Sequence, residues 1–147
     1  MSDNTLTLIP TDPYFVPTDE AIRGARAALA ALVPRAGQII ARVTPAPTFV
    51  GAGANFQSVS CNECGSEISP TAWTSAMQVA AQTDFADLTT LAPCCGARVS
   101  LNDLVYDWPQ GFARFALEVM NPGVESVDAS RIAQVVGHPL RLVWAHV

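Results

Sequence analysis

Two stretches, one toward each end of the chain, alternate between a two-residue and a helical hydrophobic period, and both give the same order of elements. Residues 5–9 alternate, with Leu6 and Leu8 on one face and Thr5, Thr7 and Ile9 on the other, which is the period of a strand. Pro10, Pro13 and Pro17 hold an extended connection. Thr18 is placed to cap the helix that follows, and Asp19 and Glu20 fall in its first turn, where the helix dipole favours anions. Ile22, Ala25, Leu29, Leu32 and Val33 form one stripe at helical spacing, with Arg23 and Arg26 off its centre. Pro34 and Gly37 stop this helix, and a strand is predicted over 38–44 with Ile39, Ala41 and Val43 inward.

The C-terminal stretch repeats the order. Residues 112–120 alternate, with Ala113, Phe115, Leu117 and Val119 on one face and Arg114 and Glu118 on the other. Asn121-Pro122-Gly123 reads as a turn. Asp128 is placed to cap a short helix carrying Ile132, Val135 and Val136, and Gly137 to end it. Residues 140–147 form the last predicted strand, apolar on both faces and therefore expected to be covered. Two β-α-β units predict an α+β fold with a ferredoxin-like sheet and two helices on one face. An irregular α+β sandwich is the competing arrangement.

Residues 45–111 break the pattern, opening with Pro45 and Pro47 and containing the loop Gly51-Ala52-Gly53-Ala54. They read as an insert with one helix of its own: Ser69 as cap, Pro70 at the first helical position, and Trp73, Met77 and Ala80 on one side. The organisation expected is a single α+β domain over 1–147, with the main sheet and helices in 1–44 and 112–147 and a thinly cored insert in 45–111.

Composition narrows the function. Of 147 residues half are hydrophobic and 14% charged, ample for a core and unlike a disordered chain. No apolar run approaches the roughly 20 residues that span a bilayer, and the first residues lack a secretory signal, so a cytoplasmic protein is expected. Thirteen carboxylates oppose eight bases, all of them arginines and none clustered. An acidic field repels polyanions, which argues against nucleic acid and fits a basic protein partner better.

All four cysteines lie in the insert. In Cys61-Asn62-Glu63-Cys64-Gly65 two thiols separated by two residues can wrap one tetrahedral ion, and the glycine permits the positive φ that such a turn requires. Pro93-Cys94-Cys95-Gly96 also ends in Cys-Gly. The two strings resemble the paired knuckles of zinc-ribbon proteins. The resemblance implies a structural Zn2+ held by Cys61, Cys64, Cys94 and Cys95. A standard second knuckle would place cysteines at 92 and 95, but position 92 is alanine. Adjacent Cys94 and Cys95 can share an ion only if the backbone turns sharply between them. Water, Asp87 or a histidine is the alternative fourth ligand, and iron the alternative metal.

Rival readings of the cysteines are weaker. A thioredoxin-type pair needs its CxxC at a helix start, which Gly65-Ser66-Glu67 does not provide. Disulfides fit a reducing cytosol poorly. A catalytic zinc wants three protein ligands, an open position and a base, and the His-x-Glu of nucleobase deaminases is absent from the sequence.

Among the remaining residues, the aromatics of 106–112 read as a plug between insert and sheet, with an exposed recognition patch as the alternative. Asp103 and Asp107 are spaced for one face of a helical turn. His138 and His146 come without a nucleophile signature, and Gly51-x-Gly53 lacks the further glycine and helix of a phosphate loop. The strings Pro93-Cys94-Cys95-Gly96, Asp107-Trp108-Pro109-x-Gly111-Phe112-Ala113-Arg114-Phe115 and Val143-Trp144-Ala145-His146 resemble a group of uncharacterised bacterial proteins, which supplies no function. The leading expectation is a non-catalytic structural-zinc domain that binds another protein, for instance as an immunity-type inhibitor of a basic partner. A nucleic-acid-binding zinc ribbon is one alternative. A metal-dependent enzyme using an incomplete cysteine shell with Asp87, Asp103 or His146 is the other.

Overall fold

The computed structural model describes residues 3–146. In chain order the elements are β1 (Asn4–Pro10), α1 (Asp19–Leu32), β2 (Gln38–Val50), β3 (Ser58–Ser60), β4 (Glu67–Ile68), α2 (Pro70–Ala81), β5 (Thr89–Leu91), β6 (Arg98–Ser100), β7 (Val105–Asp107), β8 (Gly111–Met120), α3 (Ser130–Val136) and β9 (Leu140–His146). The protein is α+β. Its largest sheet has four antiparallel strands in the order β2-β8-β1-β9. A three-stranded sheet, β4-β3-β7, and a two-stranded one, β5-β6, lie in the segment between β2 and β8.

The main core lies between the large sheet and α1 and α3. Leu6, Leu8, Phe115, Leu117 and Val119 meet Ala25, Leu29, Val33, Ile132 and Val136 there. Each large side chain of this set contributes about 1.5–3 kcal/mol by leaving water. Thr18 caps α1 as its side chain predicts, Oγ1 accepting from Ala21 N at 3.1 Å. Gly24 marks the close approach of the two helices, since a methyl group there would stand 3.0 Å from Val135 Cγ1. The predicted stripe holds except at Leu32, which lies beyond the contact and is 42% exposed.

Several expectations need correction. β2 does not stop at residue 44 but passes through Pro45 and Pro47 to Val50. Its register shifts between Val43 and Thr48, and Arg114 Nε closes the bulge by donating to Thr44 O at 3.0 Å. An edge strand tolerates proline because its outer side needs no ladder N–H. Val43 is consequently exposed rather than inward. Ala113 leaves the Phe115 face and packs with Ile9 and Val143 in a small separate cluster. β9 is the opposite edge strand, and among its residues Val143 alone is buried. α3 begins at Ser130 behind Ala129, which holds the N-cap position without a side-chain cap; Asp128, one residue earlier, accepts at Oδ1 from Ser130 N at 3.0 Å and Ser130 Oγ at 2.7 Å. Gly137 ends this helix at φ 85°, as expected.

The central segment has a substantial core of its own, contrary to the thin one expected. Val59, Ile68, Leu88, Val99, Leu101, Leu104, Tyr106 and Phe112 are buried there, with Phe49, Phe56 and Trp73 packed against them. Ser69 Oγ accepts from Ala72 N to cap α2, and Pro70 starts it. Tyr106 Oη donates to Leu101 O at 2.6 Å and accepts from Trp73 Nε1 at 3.2 Å. Arg141 of β9 joins this segment to the large sheet, Nη1 donating to Asn102 O and Gln110 O, each at 2.9 Å. No described helix is long and apolar enough to cross a membrane.

Candidate metal centre

The two short hairpins carry the cysteines. β3 pairs with β4 through Val59–Ile68 and Ser60–Glu67, and β5 pairs with β6 through Thr90–Val99 and Leu91–Arg98. Between each pair the chain makes the same turn. In the first, Cys61 N donates to Ser66 O at 2.9 Å and Gly65 N to Cys61 O at 3.0 Å. In the second, Ala92 N donates to Ala97 O at 2.8 Å and Gly96 N to Ala92 O at 2.8 Å. Gly65 and Gly96 both take positive φ, 78° and 71°, where an L side chain is strained. The sharp turn required between Cys94 and Cys95 is therefore present, and it is the turn that the first knuckle makes at Glu63 and Cys64.

The hairpin tips bring the four thiols together, with all four Sγ atoms within 4.8 Å of one another. Cys61 Sγ stands 3.9 Å from Cys95 Sγ, and Cys64 Sγ 3.1 Å from Cys94 Sγ. Sulfurs on a tetrahedral zinc at about 2.3 Å stand about 3.8 Å apart, so the first distance matches a ligand edge and the second is somewhat shorter. All four are free thiols; Cys61 is buried and the other three are exposed. Glu63 N donates to Cys61 Sγ at 3.4 Å, an amide–sulfur bond that stabilises a thiolate.

The cluster is electrostatically uneven. Hydrogen bonds from the Ser66 side chain and backbone, then from Cys94, pull the Cys64 thiol down to about 6. The same contact with Cys64, followed by desolvation, pushes Cys94 up to about 12. The Ala97 backbone pulls Cys95 down, but desolvation and the Cys61 and Cys64 thiols outweigh it and hold Cys95 up. Cys64 thus gives up its proton readily while Cys94 and Cys95 hold theirs, the behaviour of thiols crowded into a single donor set. A divalent cation at their centre would replace those shared protons. The four cysteines could hold a metal ion.

Other donors considered from the sequence lie elsewhere. Asp87 Oδ1 accepts from Thr89 N at 2.9 Å at the start of β5 and is not part of the cysteine group. Asp107 sits in β7 and Asp103 in the turn before it, so they share no helical face. His146 Nδ1 pairs with Asn4 Oδ1 at 2.8 Å, and His138 Nδ1 lies 2.9 Å from Pro139 O with its ring against Phe15. Of the expected aromatic plug, Tyr106 and Phe112 are buried while Trp108 is 41% exposed. Sequence reasoning saw two knuckles but missed that their turns are equivalent residue by residue. The signal of that equivalence is the constant offset from Cys64-Gly65 to Cys95-Gly96, and from Ile68 to Val99, which is 31 residues in each case.

Fold and site together define an α+β protein whose central segment gathers four cysteines at metal-binding distance. No protein-family model, no curated protein and no solved structure matches the chain.

Proposed function

We propose that this chain is a non-catalytic structural-zinc domain that works by binding another protein. In this reading Cys61, Cys64, Cys94 and Cys95 are the ligands, residues 1–147 form one domain, the large sheet is ferredoxin-like, and the two knuckled hairpins form a zinc-ribbon-like insert. The observation that carries it is the convergence of four thiols from two equivalent hairpin tips. The order β2-β8-β1-β9 with two helices on one face supports the ferredoxin-like reading. An all-sulfur tetrahedral set favours zinc over harder cations, and four thiolates leave a bound water poorly activated. A cytoplasmic location goes with this reading, since a reducing compartment keeps such thiols available to a metal.

The protein-binding part rests on surface chemistry. The net charge is −5. Beside the knuckles a groove of about 230 Å³ runs between α2 and the β5–β6 hairpin, lined by Trp73, Ala76, Val79 and Leu91 among others. Val79 and Leu91 are 62% and 63% exposed, an apolar surface of the kind that interfaces cover. An immunity-type inhibitor that covers a basic bacterial protein is the concrete version, since acidic complementarity raises association rates.

Elemental analysis with native mass spectrometry tests the metal reading: one zinc per chain is expected, and a metal-free native protein with intact fold overturns it. Retention of basic proteins from a lysate at low salt, lost as salt is raised, tests the partner reading. No retention at low salt removes the support for an inhibitor of a basic partner.

A further inference from the structure

We propose that the cleft between Trp108 and Trp144 binds a small organic cation of the quaternary-ammonium or guanidinium class. The cleft is large, about 750 Å³, and it opens where the central segment meets the ends of β1, β8 and β9. Sites of this size at the junction of two structural units are where small ligands bind most often.

Trp108 is the first reason. Its neighbours along the chain, Tyr106 and Phe112, are buried, yet Trp108 stays 41% exposed and lines the cleft. Its φ is +24°, outside the regions that a bulky residue adopts freely, and Asp107 Oδ1 accepts its N–H at 3.0 Å in that conformation. Backbone strain that holds an aromatic ring in the open is a feature of binding sites. The second wall, Trp144, comes from the edge strand β9, its ring packed against the main core.

The charge of the lining is the second reason. Glu125 brings a carboxylate, and no arginine lines the cleft among the described residues. The chain contains no lysine at all. Indole faces attract cations through their quadrupole, best when the cation is weakly hydrated, and a carboxylate at the rim adds to the attraction. An anionic ligand would meet Glu125 with no arginine opposite it, His146 being the one basic side chain in the lining.

The segments around the cleft are also tied to one another before a ligand arrives. Asn55 Nδ2 donates to Trp144 O at 3.1 Å, tying the central segment to β9. Asn121 Oδ1 accepts from Asn4 N at 3.1 Å, and Asn4 Oδ1 pairs with the His146 ring at 2.8 Å. A preformed aromatic site avoids the ordering cost that weakens binding by mobile loops.

The full-length protein carries its own reporters, because its three tryptophans give three indole N–H signals. Trp73, stacked on Phe56 within the central core, serves as the internal control. Tetramethylammonium chloride is titrated into 15N-labelled protein, with sodium chloride at equal ionic strength, neutral tert-butanol and glucose as comparisons. Saturable shifts of the Trp108 and Trp144 signals with tetramethylammonium, and a still Trp73, are expected. Trp108→Ala and the surface variant Glu125→Gln are each expected to weaken this binding about threefold or more while leaving the Trp73 signal in place. Equal shifts with tert-butanol or sodium chloride, saturable shifts with glucose alone, or no saturable shift overturn the assignment.

Discussion

Cys61 and Ala92 occupy the same place in two copies of one turn. Each donates its N–H to the carbonyl five residues on, each accepts at its own carbonyl from the glycine four residues on, and their exposures are 1% and 2%. Cys64 and Cys95 correspond in the same way, and Cys94 falls where the first turn has Glu63. The second knuckle therefore reaches the cluster with the third residue of its turn, where the first knuckle uses the first. The cluster is built from two like turns that differ in the position of one cysteine.

That relationship predicts a ligand exchange. Cys94→Ser is expected to bind added zinc more weakly than the parent protein, and Ala92→Cys combined with Cys94→Ser to recover the affinity. The new thiol would stand at the position equivalent to Cys61. Competition against a chromogenic chelator measures both variants, and failure of the double variant to recover affinity would refute the equivalence of the two turns as ligand frames.

If the four cysteines are ligands, as proposed above, loss of any one thiol should be costly. Cys61→Ser, Cys64→Ser and Cys95→Ser are each expected to weaken metal binding by more than the ~10–100-fold lost when only an outer hydrogen-bond partner of a ligand is removed. Thermal unfolding with and without chelator provides the second readout. Because the central core is extensive, metal removal should loosen the hairpin tips more than it unfolds Val59, Leu101 and Tyr106. Hydrogen exchange resolved by segment distinguishes the two.

Arg141 tests how the central segment is fastened to the large sheet. Its guanidinium donates to two backbone carbonyls, those of Asn102 and Gln110, with Asp103 the nearby negative charge. Arg141→Met leaves both carbonyls short of a donor and is expected to cost about 1–3 kcal/mol. Urea denaturation measures the loss. An unchanged midpoint would show that water replaces the guanidinium without penalty.

Tyr106 gives the alkaline limit. Burial pushes its hydroxyl up to about 12 from an ordinary 10, with the Trp73 N–H acting against the shift. For an acid with a raised folded value, stability is fully present below the unfolded pKa. It is lost as pH rises from about 10 to about 12, where the unfolded chain ionises first. The loss amounts to about 2–3 kcal/mol when complete. Denaturant midpoints should fall across that window, and tyrosinate absorbance should show one phenol titrating late. A midpoint flat to pH 12 would contradict the buried hydroxyl.

The sequence by itself determined the elements with strong local signals. Thr18, Ser69 with Pro70, and Gly137 set helix ends through capping groups and a glycine conformation that act within one turn of chain, and all three hold. The Leu6–Leu8 and Phe115–Leu117–Val119 alternations fixed which faces would be buried, because a strand's period leaves no other choice. The glycines after Cys64 and Cys95 were legible for the same local reason. What the tertiary structure decided depends on neighbours distant in sequence. Only the sheet order shows that β2 and β9 are edges, which is why two prolines survive in β2 and why Val43 is exposed. Only the docking of hairpins 31 residues apart shows that Ala92 stands in for a cysteine and brings Cys94 beside Cys64. Only the path of β9 past residues 53–55 places Trp144 across a cleft from Trp108. Periodicity and caps report on a residue and its near neighbours along the chain; convergence of side chains from separate elements is set by packing, which no single stretch of sequence contains.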